Sequence, residues 1–513
     1  MRLRTDDRSH LLRALAAAIV LSTVPLLDFY AANMAELTSP SRVLRYAAAT
    51  LAVAAIVATS LALLLRRIAL WRILLATGLM VFVFFAYDVD LIHRELQSHL
   101  GEWAPAAWIA AAIGTGVLAL SLLRKPAVVT ICLVVSLAFS APSLARIATI
   151  LTREHHAQAL TATGSEPAAR FRISPNIYWI VLDGYPRLDV LKDEFAFDNS
   201  DFIRSLATVD FVVLGKSRSN FPATVNSISS TLNSDYTVTG EGDALKPFPI
   251  EQMEALVRGK SRTVSRLASA GYTYVHFENG YDYLTECAPD VPKCVRGNLG
   301  LDELDIAILS NTPIIDLVLR YQQQAPFAWG GVSDLTSKLE AIRSTPSPFF
   351  LYAHVLAPHP PIRFTATCGF RAADPDLQRW TPSARPAFID QLRCTNSQAL
   401  TLLQKIVRDD ASALIILQSD HGTAFRGQFG KPPTDWSDAD LHERFGALDA
   451  MRLPRQCRAA AADDLTLVDT FPLVFSCLAD STFERHSPRF FVTPYDDTAD
   501  FGRAVEYPSE RVR

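Results

Sequence analysis

The sequence contains no CxxC pair and no internal repeat of roughly 20 to 50 residues, and no low-complexity tract beyond its alanine-rich apolar stretches. The first absence argues against a zinc ribbon, and the second against a solenoid or propeller. A basic excess is also missing: 49 Lys and Arg face 53 Asp and Glu, for a net charge of -4. Nothing in that balance selects nucleic acid as a partner. Cysteine is almost absent from the first half, where only Cys132 occurs. What the chain has is length and apolar material, 513 residues of which 49% are hydrophobic, so more than one compact domain is expected.

That material is unevenly placed. Nearly all long apolar runs fall between residues 11 and 146. A bilayer about 30 Å thick needs roughly 20 apolar residues per helix. About five spans meet this need: Leu11 to Leu27, Val43 to Leu65, Leu70 to Tyr87, Ala106 to Leu122 and Ala127 to Ala145, the last diluted by Ser136, Ser140 and Pro142. A signal peptide would also place Arg2, Arg4 and Arg8 before an apolar run, but four further spans follow. Arg2, Arg4, Arg8 and Arg13 sit at the start of the first span, Arg66, Arg67 and Arg72 lie between the second and third, and Arg124 and Lys125 between the fourth and fifth. By the positive-inside bias these sites face the cytoplasm, against the opposing Arg42, Arg45 and Arg146. Everything after the fifth span is then extracytoplasmic. The expected layout is a transmembrane domain over 1–146, a linker over 147–174 and an extracytoplasmic domain over 175–513.

Cysteine usage points the same way. Cys287, Cys294, Cys368, Cys394, Cys457 and Cys477 all lie in the soluble part, an even number suited to an oxidising compartment. Joining sequence neighbours gives three bridges, which is one of the connectivities that six cysteines allow.

In the soluble part, Ile177 to Leu182 is a short run rich in β-branched and aromatic residues that stops at Asp183-Gly184, the pattern of a buried strand ending in a turn. Phe349 to Val355 and Ala413 to Leu417 repeat that design and end in Leu-Ala-Pro-His-Pro-Pro and Gln-Ser-Asp-His-Gly. Helical patterns lie between them, at Asp201 to Thr208, Ser261 to Ala270, Leu335 to Ile342 and Pro386 to Val407. Alternating strands and helices imply an α/β domain with a mostly parallel sheet and a ligand site beyond the carboxyl ends of its strands. Asp183, Asp420 and His421 meet at such ends, and a mixed oxygen and nitrogen set suits Zn²⁺ or Mn²⁺ better than Ca²⁺.

Four segments carry a resemblance: Pro-Asn-Ile-Tyr-Trp-Ile-Val-Leu-Asp-Gly (175–184), Ser-Asn-Phe-Pro-Ala-Thr-Val-Asn-Ser-Ile-Ser-Ser (219–230), His-Val-Leu-Ala-Pro-His-Pro-Pro (354–361) and Ser-Asp-His-Gly (419–422). In this order the chain resembles sulfatase-like proteins of the alkaline phosphatase superfamily over roughly 175–480. It most resembles their membrane-anchored branch, the lipoteichoic acid synthases and lipid A phosphoethanolamine transferases. The resemblance implies that Asp183, Asp420 and His421 hold a metal beside Thr224, the threonine nucleophile and further metal contact, with Ser227 as the alternative hydroxyl. It also implies contacts to substrate or a second metal from His354 and His359, the latter as acid or ligand. Arg218, beside Lys216, and His442 are possible substrate contacts.

Two departures narrow the activity. No Cys/Ser-x-Pro-x-Arg stretch is available for conversion to formylglycine, which disfavours sulfate ester hydrolysis. Asp183-Gly184 stands where soluble sulfatases carry a tandem acidic pair, which implies fewer ligands. The expected protein is a multi-pass enzyme of the inner membrane with a periplasmic catalytic domain. It takes a phosphoryl-linked head group from a membrane phospholipid through a phosphothreonine and passes it to an envelope glycan, a lipid or water. The alternatives are a hydrolase of another ester and a non-catalytic envelope binding or assembly module.

Overall fold

The computed structural model of the chain describes residues 5–33, 41–87, 96, 99–157, 170–279, 285–297, 303–315, 318, 331–371, 375–493 and 503–513. Two compact units emerge, Met1–Gln158 with Glu303–Gln324, and Ala159–Asp302 with Ala325–Arg513.

Among the described residues of the first unit, four helices are long and apolar enough to cross a membrane: Arg8–Ala32, Val43–Leu64, Ala104–Leu122 and Ala127–Thr149. The remaining expected span forms the helix Leu70–Phe84, whose 15 residues rise only ~22 Å before the chain turns. The diluted span is one of the longest helices, Ala127–Ala157, and runs into the stretch expected as linker. Pro142 sits inside it. Close helix approach uses small side chains: a Cβ on Gly78 would come within 2.8 Å of the Ala18 Cα. Residues 303–324, expected with the catalytic domain, group with this unit instead. Ile308 packs with Leu26 and Val43, and the Tyr46 hydroxyl donates to the Asp305 carboxylate at 2.8 Å.

The second unit is built on a seven-stranded sheet. Its strands are β1 (Ile177–Leu182), β2 (Val212–Val213), β5 (Thr273–Glu278), β6 (Lys293–Arg296), β7 (Phe349–Val355), β8 (Leu414–Gln418) and β9 (Asp449–Arg452), while β3 (Val238–Thr239) pairs with β4 (Lys246–Pro247) and β10 (Phe490–Val492) with β11 (Val505–Tyr507). The order is β2-β9-β8-β1-β7-β5-β6. The five strands from β8 to β6 are parallel, and β9 and β2 add an antiparallel edge.

Both faces are covered, which is why β1 is apolar at every position. Tyr178, Ile180 and Leu182 enter one core with Phe388, Leu392 and Leu402 of the helix Arg385–Asp409. Ile177, Trp179 and Val181 enter the other with Val225, Ile228 and Leu232 of the helix Thr224–Asn233. Side chains alternate along a strand, so this parity decides what each strand delivers at its end. Phe350 and Tyr352 of β7 and Leu414 and Ile416 of β8 lie in the second core, which puts His354 and the extension to Asp420 on the side of the helix Thr224–Asn233.

Six cysteines form Cys287–Cys294, Cys368–Cys394 and Cys457–Cys477, the pairing of sequence neighbours, and Cys132 is free. Cys368–Cys394 spans the largest sequence separation, 26 residues. Replacing both of these cysteines with serine is expected to lower the unfolding free energy of the second unit by about 3 kcal/mol, read as a lower urea midpoint. An unchanged midpoint would contradict the crosslink.

Candidate metal and nucleophile site

Three parallel neighbours, β8, β1 and β7, supply the site from their carboxyl ends. Asp183 follows β1 directly, with its amide donating to the Val355 carbonyl at 2.9 Å. Its side chain is fully buried. Gly184 then turns the chain at φ 66, a conformation that favours glycine, and its amide donates to Asp420 Oδ1 at 3.1 Å. After β8, Ser419 Oγ accepts from the Tyr185 amide at 2.8 Å and donates to the His421 carbonyl at 2.6 Å, fixing the Ser-Asp-His turn against the Asp-Gly turn. Gly422 has no alternative: a Cβ there would lie 2.1 Å from the Glu443 carbonyl oxygen.

The side chains converge. One ligand atom from each of Asp183, Asp420 and His421 lies within 4.8 Å of the others. His421 Nε2 is 3.1 Å from Asp420 Oδ2, 3.6 Å from Asp183 Oδ1 and 3.0 Å from the Thr224 hydroxyl. His421 Nδ1 sits 3.0 Å from the Gly422 carbonyl, so Nδ1 carries the hydrogen and Nε2 presents its lone pair to the cluster. Thr224 is the first residue of its helix, and Ala223 before it offers no side-chain cap. Ser227, the alternative hydroxyl, donates to the Asp420 carbonyl at 2.6 Å and lies 3.2 Å from Ser219 Oγ. Its oxygen is thus engaged in holding the turn, while that of Thr224 faces the imidazole.

Electrostatics show what this arrangement is suited to hold. Burial pushes the Asp183 carboxyl up, against the pull of His359 and Arg444, and burial together with the Asp183 charge pushes Asp420 up to about 7. Burial also lowers His354 to about 4, lowers His359, and with the Arg444 charge takes His421 well below its usual range. The imidazoles are therefore neutral near pH 7, so the 3.2 Å approach of His354 Nε2 to Asp183 Oδ2 is not a true ion pair. Both Asp183 oxygens and Asp420 Oδ2 are buried without a hydrogen-bond donor. Two like carboxylates in low dielectric, with open oxygens and a neutral nitrogen between them, fit a divalent cation.

The other expected residues divide. His354, on β7, and His359, whose amide donates to the Asp183 carbonyl at 3.1 Å, join the cluster. The His359 ring stands 6.3 Å from that of His421 and edge-on to Trp380 at 4.8 Å. Arg218 is engaged elsewhere: its guanidinium donates to the Val512 carbonyl at 2.6 Å and lies 4.7 Å over the Phe490 ring. His442 approaches Asp193 at 3.3 Å and the Arg513 carbonyl at 3.2 Å. Both are thus taken up by other partners, including the chain's last residues, because tertiary pairing with the C-terminal segment claims them. A second acid and sulfur group, Glu278 with Cys287 and Cys294, is no thiolate site because its sulfurs are bonded to each other.

Two residues at the site carried no sequence signal. Trp380 packs on Gly184, with its ring edge 3.0 Å from where a Cβ would be. Arg444 is buried beside the turn and donates to the Gly422 carbonyl at 2.7 Å.

Among curated proteins none matches the chain. Solved structures similar to it include the C-terminal periplasmic domain of EcEptC from Escherichia coli, at 12% identity over 67% of this chain and 97% of that one, TM-score 0.42. They also include the integral membrane lipooligosaccharide phosphoethanolamine transferase A from Neisseria meningitidis, at 13% identity over 93% and 96%, TM-score 0.40. A third is the phosphonate monoester hydrolase of Agrobacterium radiobacter, at 15% identity over 62% and 80%, TM-score 0.38. Likeness at this level says nothing about substrate. A family model described as Sulfatase, whose enzymes are metal-dependent, matches residues 175–445, more than half of the chain and the whole of the cluster from Asp183 to His421. The chain belongs to the sulfatase family, and it is a sulfatase-like enzyme of the alkaline phosphatase superfamily.

Proposed function

We propose that the protein is a membrane-anchored, metal-dependent phosphotransferase or phosphodiesterase that works through a covalent phosphothreonine at Thr224. The reading rests on one observation, a threonine hydroxyl at a helix start 3.0 Å from His421 Nε2, beside two buried carboxylates with open oxygens. Asp183, Asp420, His421 and the Thr224 hydroxyl would hold the cation, Zn²⁺ or Mn²⁺. Bound there, it would lower the pKa of the hydroxyl and offset phosphoryl charge.

The chain's own groups account for the rest. Free amides of the first turn of the helix Thr224–Asn233 favour an anionic phosphoryl group next to the hydroxyl. Thr224 Oγ1 attacks phosphorus, the bond from phosphorus to the glyceride oxygen breaks, and that oxygen leaves with the electron pair. His359 takes the threonine proton and delivers it to the leaving oxygen. Its Nδ1 faces the Pro360 carbonyl and so holds a hydrogen, leaving Nε2 unprotonated as the base. His354 Nε2 lies 3.2 Å from Asp183 Oδ2 and bounds the site on that side. An acceptor hydroxyl of an envelope glycan or lipid, or water, then attacks phosphorus, the bond from phosphorus to Thr224 Oγ1 breaks, and the acceptor's proton passes through His359 to the threonine oxygen.

The donor in this reading is a membrane phospholipid. The protein is an integral component of the inner membrane, and its catalytic domain lies on the periplasmic side. The apolar helices, the loop-charge bias and three disulfides support that placement.

Thr224→Ala is expected to lower turnover of a chromogenic phosphodiester at least roughly 10³-fold with metal still bound, as measured by steady-state assay and elemental analysis. Activity within a few-fold of the parent protein would rule out this nucleophile. The pH dependence of metal binding has a definite sign. In the metal-free site Asp420 titrates at about 7, and binding requires its carboxylate. Zinc affinity should therefore fall at least about tenfold per pH unit below that value, because the Asp183 carboxyl is also pushed up by burial and must lose its proton. Titration calorimetry showing the same affinity on both sides of neutrality would contradict the ligand assignment.

A further inference from the structure

We propose that Arg444 is a positioning residue that clamps the backbone on both sides of the Thr224–His421 contact and so sets the nucleophile's distance from the metal ligand. The inference deepens the proposed function and rests on it.

Arg444 belongs to the helix Asp438–Phe445, outside the four segments that carry the resemblance, and is 1% exposed. Its Nε donates to the Pro222 carbonyl at 2.7 Å and its Nη1 to the Gly422 carbonyl at 2.7 Å. Pro222 stands two residues before Thr224, and Gly422 one residue after His421. A single planar group therefore bridges the two loops whose side chains meet at 3.0 Å. The clamp is closed from the other side by the Gly422 amide, which donates to the Arg444 carbonyl at 2.7 Å. The Phe429 ring lies 4.7 Å from the guanidinium carbon and holds its orientation.

The chemistry calls for arginine. Its donors are fixed in one plane, so two carbonyls are held at a set separation, whereas the lysine ammonium is a point donor on a flexible stem. An apolar side chain would fill a fully buried position without the desolvation cost of a cation. A misplacement of about 1 Å at the reacting atoms can cost roughly 10²-fold in rate.

Arg444→Lys and Arg444→Ala, made in the full-length protein in detergent, test the clamp with cobalt(II) in place of the native metal. Both variants should keep the cooperative melting transition and bind one equivalent of cobalt. The cobalt visible absorption should move toward that of Thr224→Ala. Turnover of a phosphodiester should fall about 10²-fold in kcat with KM changed less than about threefold. Guanidinium chloride should restore part of the kcat of Arg444→Ala and none of that of Thr224→Ala. A parental kcat and cobalt spectrum in Arg444→Lys would overturn the proposal. So would loss of both cobalt and the melting transition in the two variants, which would make the residue a fold element only. If the parent protein itself turns over no phosphodiester, the functional reading fails while the cobalt spectra still decide the clamp.

Discussion

Two carboxylates, Asp183 and Asp420, are buried at the ends of adjacent parallel strands, and both oxygens of Asp183 and Oδ2 of Asp420 have no hydrogen-bond donor among the described residues. Leaving both ionised and unpaired in a low-dielectric site is costly, and protonating one of them, as the upward shift of Asp420 indicates, removes a ligand. The surrounding architecture makes sense as a device for paying that cost with a cation. Imidazoles held neutral by burial offer lone pairs instead of competing charge. The carbonyl partners of His421 and His359 fix which nitrogen is bare.

The sheet makes the arrangement possible. Parallel pairing of β8, β1 and β7 brings their carboxyl ends to one edge, and side-chain parity sends Asp183, His354 and Asp420 to the face covered by the helix that begins with Thr224. Close backbone approach at Gly422 and the turn at Gly184 then draw the loops together, so the hydroxyl meets His421 without any long side chain having to reach. Ser227, one turn further along the same helix, joins that helix to the Asp420 backbone. One helix therefore provides both the hydroxyl proposed as nucleophile and the brace that keeps it in place.

Much of this was legible in the chain. The strands Ile177 to Leu182 and Phe349 to Val355 were readable because apolar runs bounded by Gly and Pro have few other uses, and their polar ends marked the site. Thr224 came only through resemblance, since a Ser- and Thr-rich segment offers many equivalent hydroxyls until the fold selects one. Arg444 was invisible because Asp-Leu-His-Glu-Arg-Phe reads as a solvated helix face, although Glu443 and Arg444 are both buried. The contacts of Arg218 and His442 were hidden for a related reason: their partners, Val512 and Arg513, lie distant in sequence, and no local pattern announces such pairing. Likewise, grouping of residues 303–324 with the membrane unit depends on Ile308 meeting Leu26 and Val43, a long-range contact without periodic signal.

The central claim is that this constellation is a metal site with a threonine in its coordination sphere. Anomalous diffraction at the zinc edge from crystals of the full-length protein tests it most directly. The account predicts a peak about 2.0 to 2.3 Å from oxygens of Asp183, Asp420 and Thr224 and from His421 Nε2. Density without an anomalous peak between those residues, or zinc bound only elsewhere on the molecule, would contradict it.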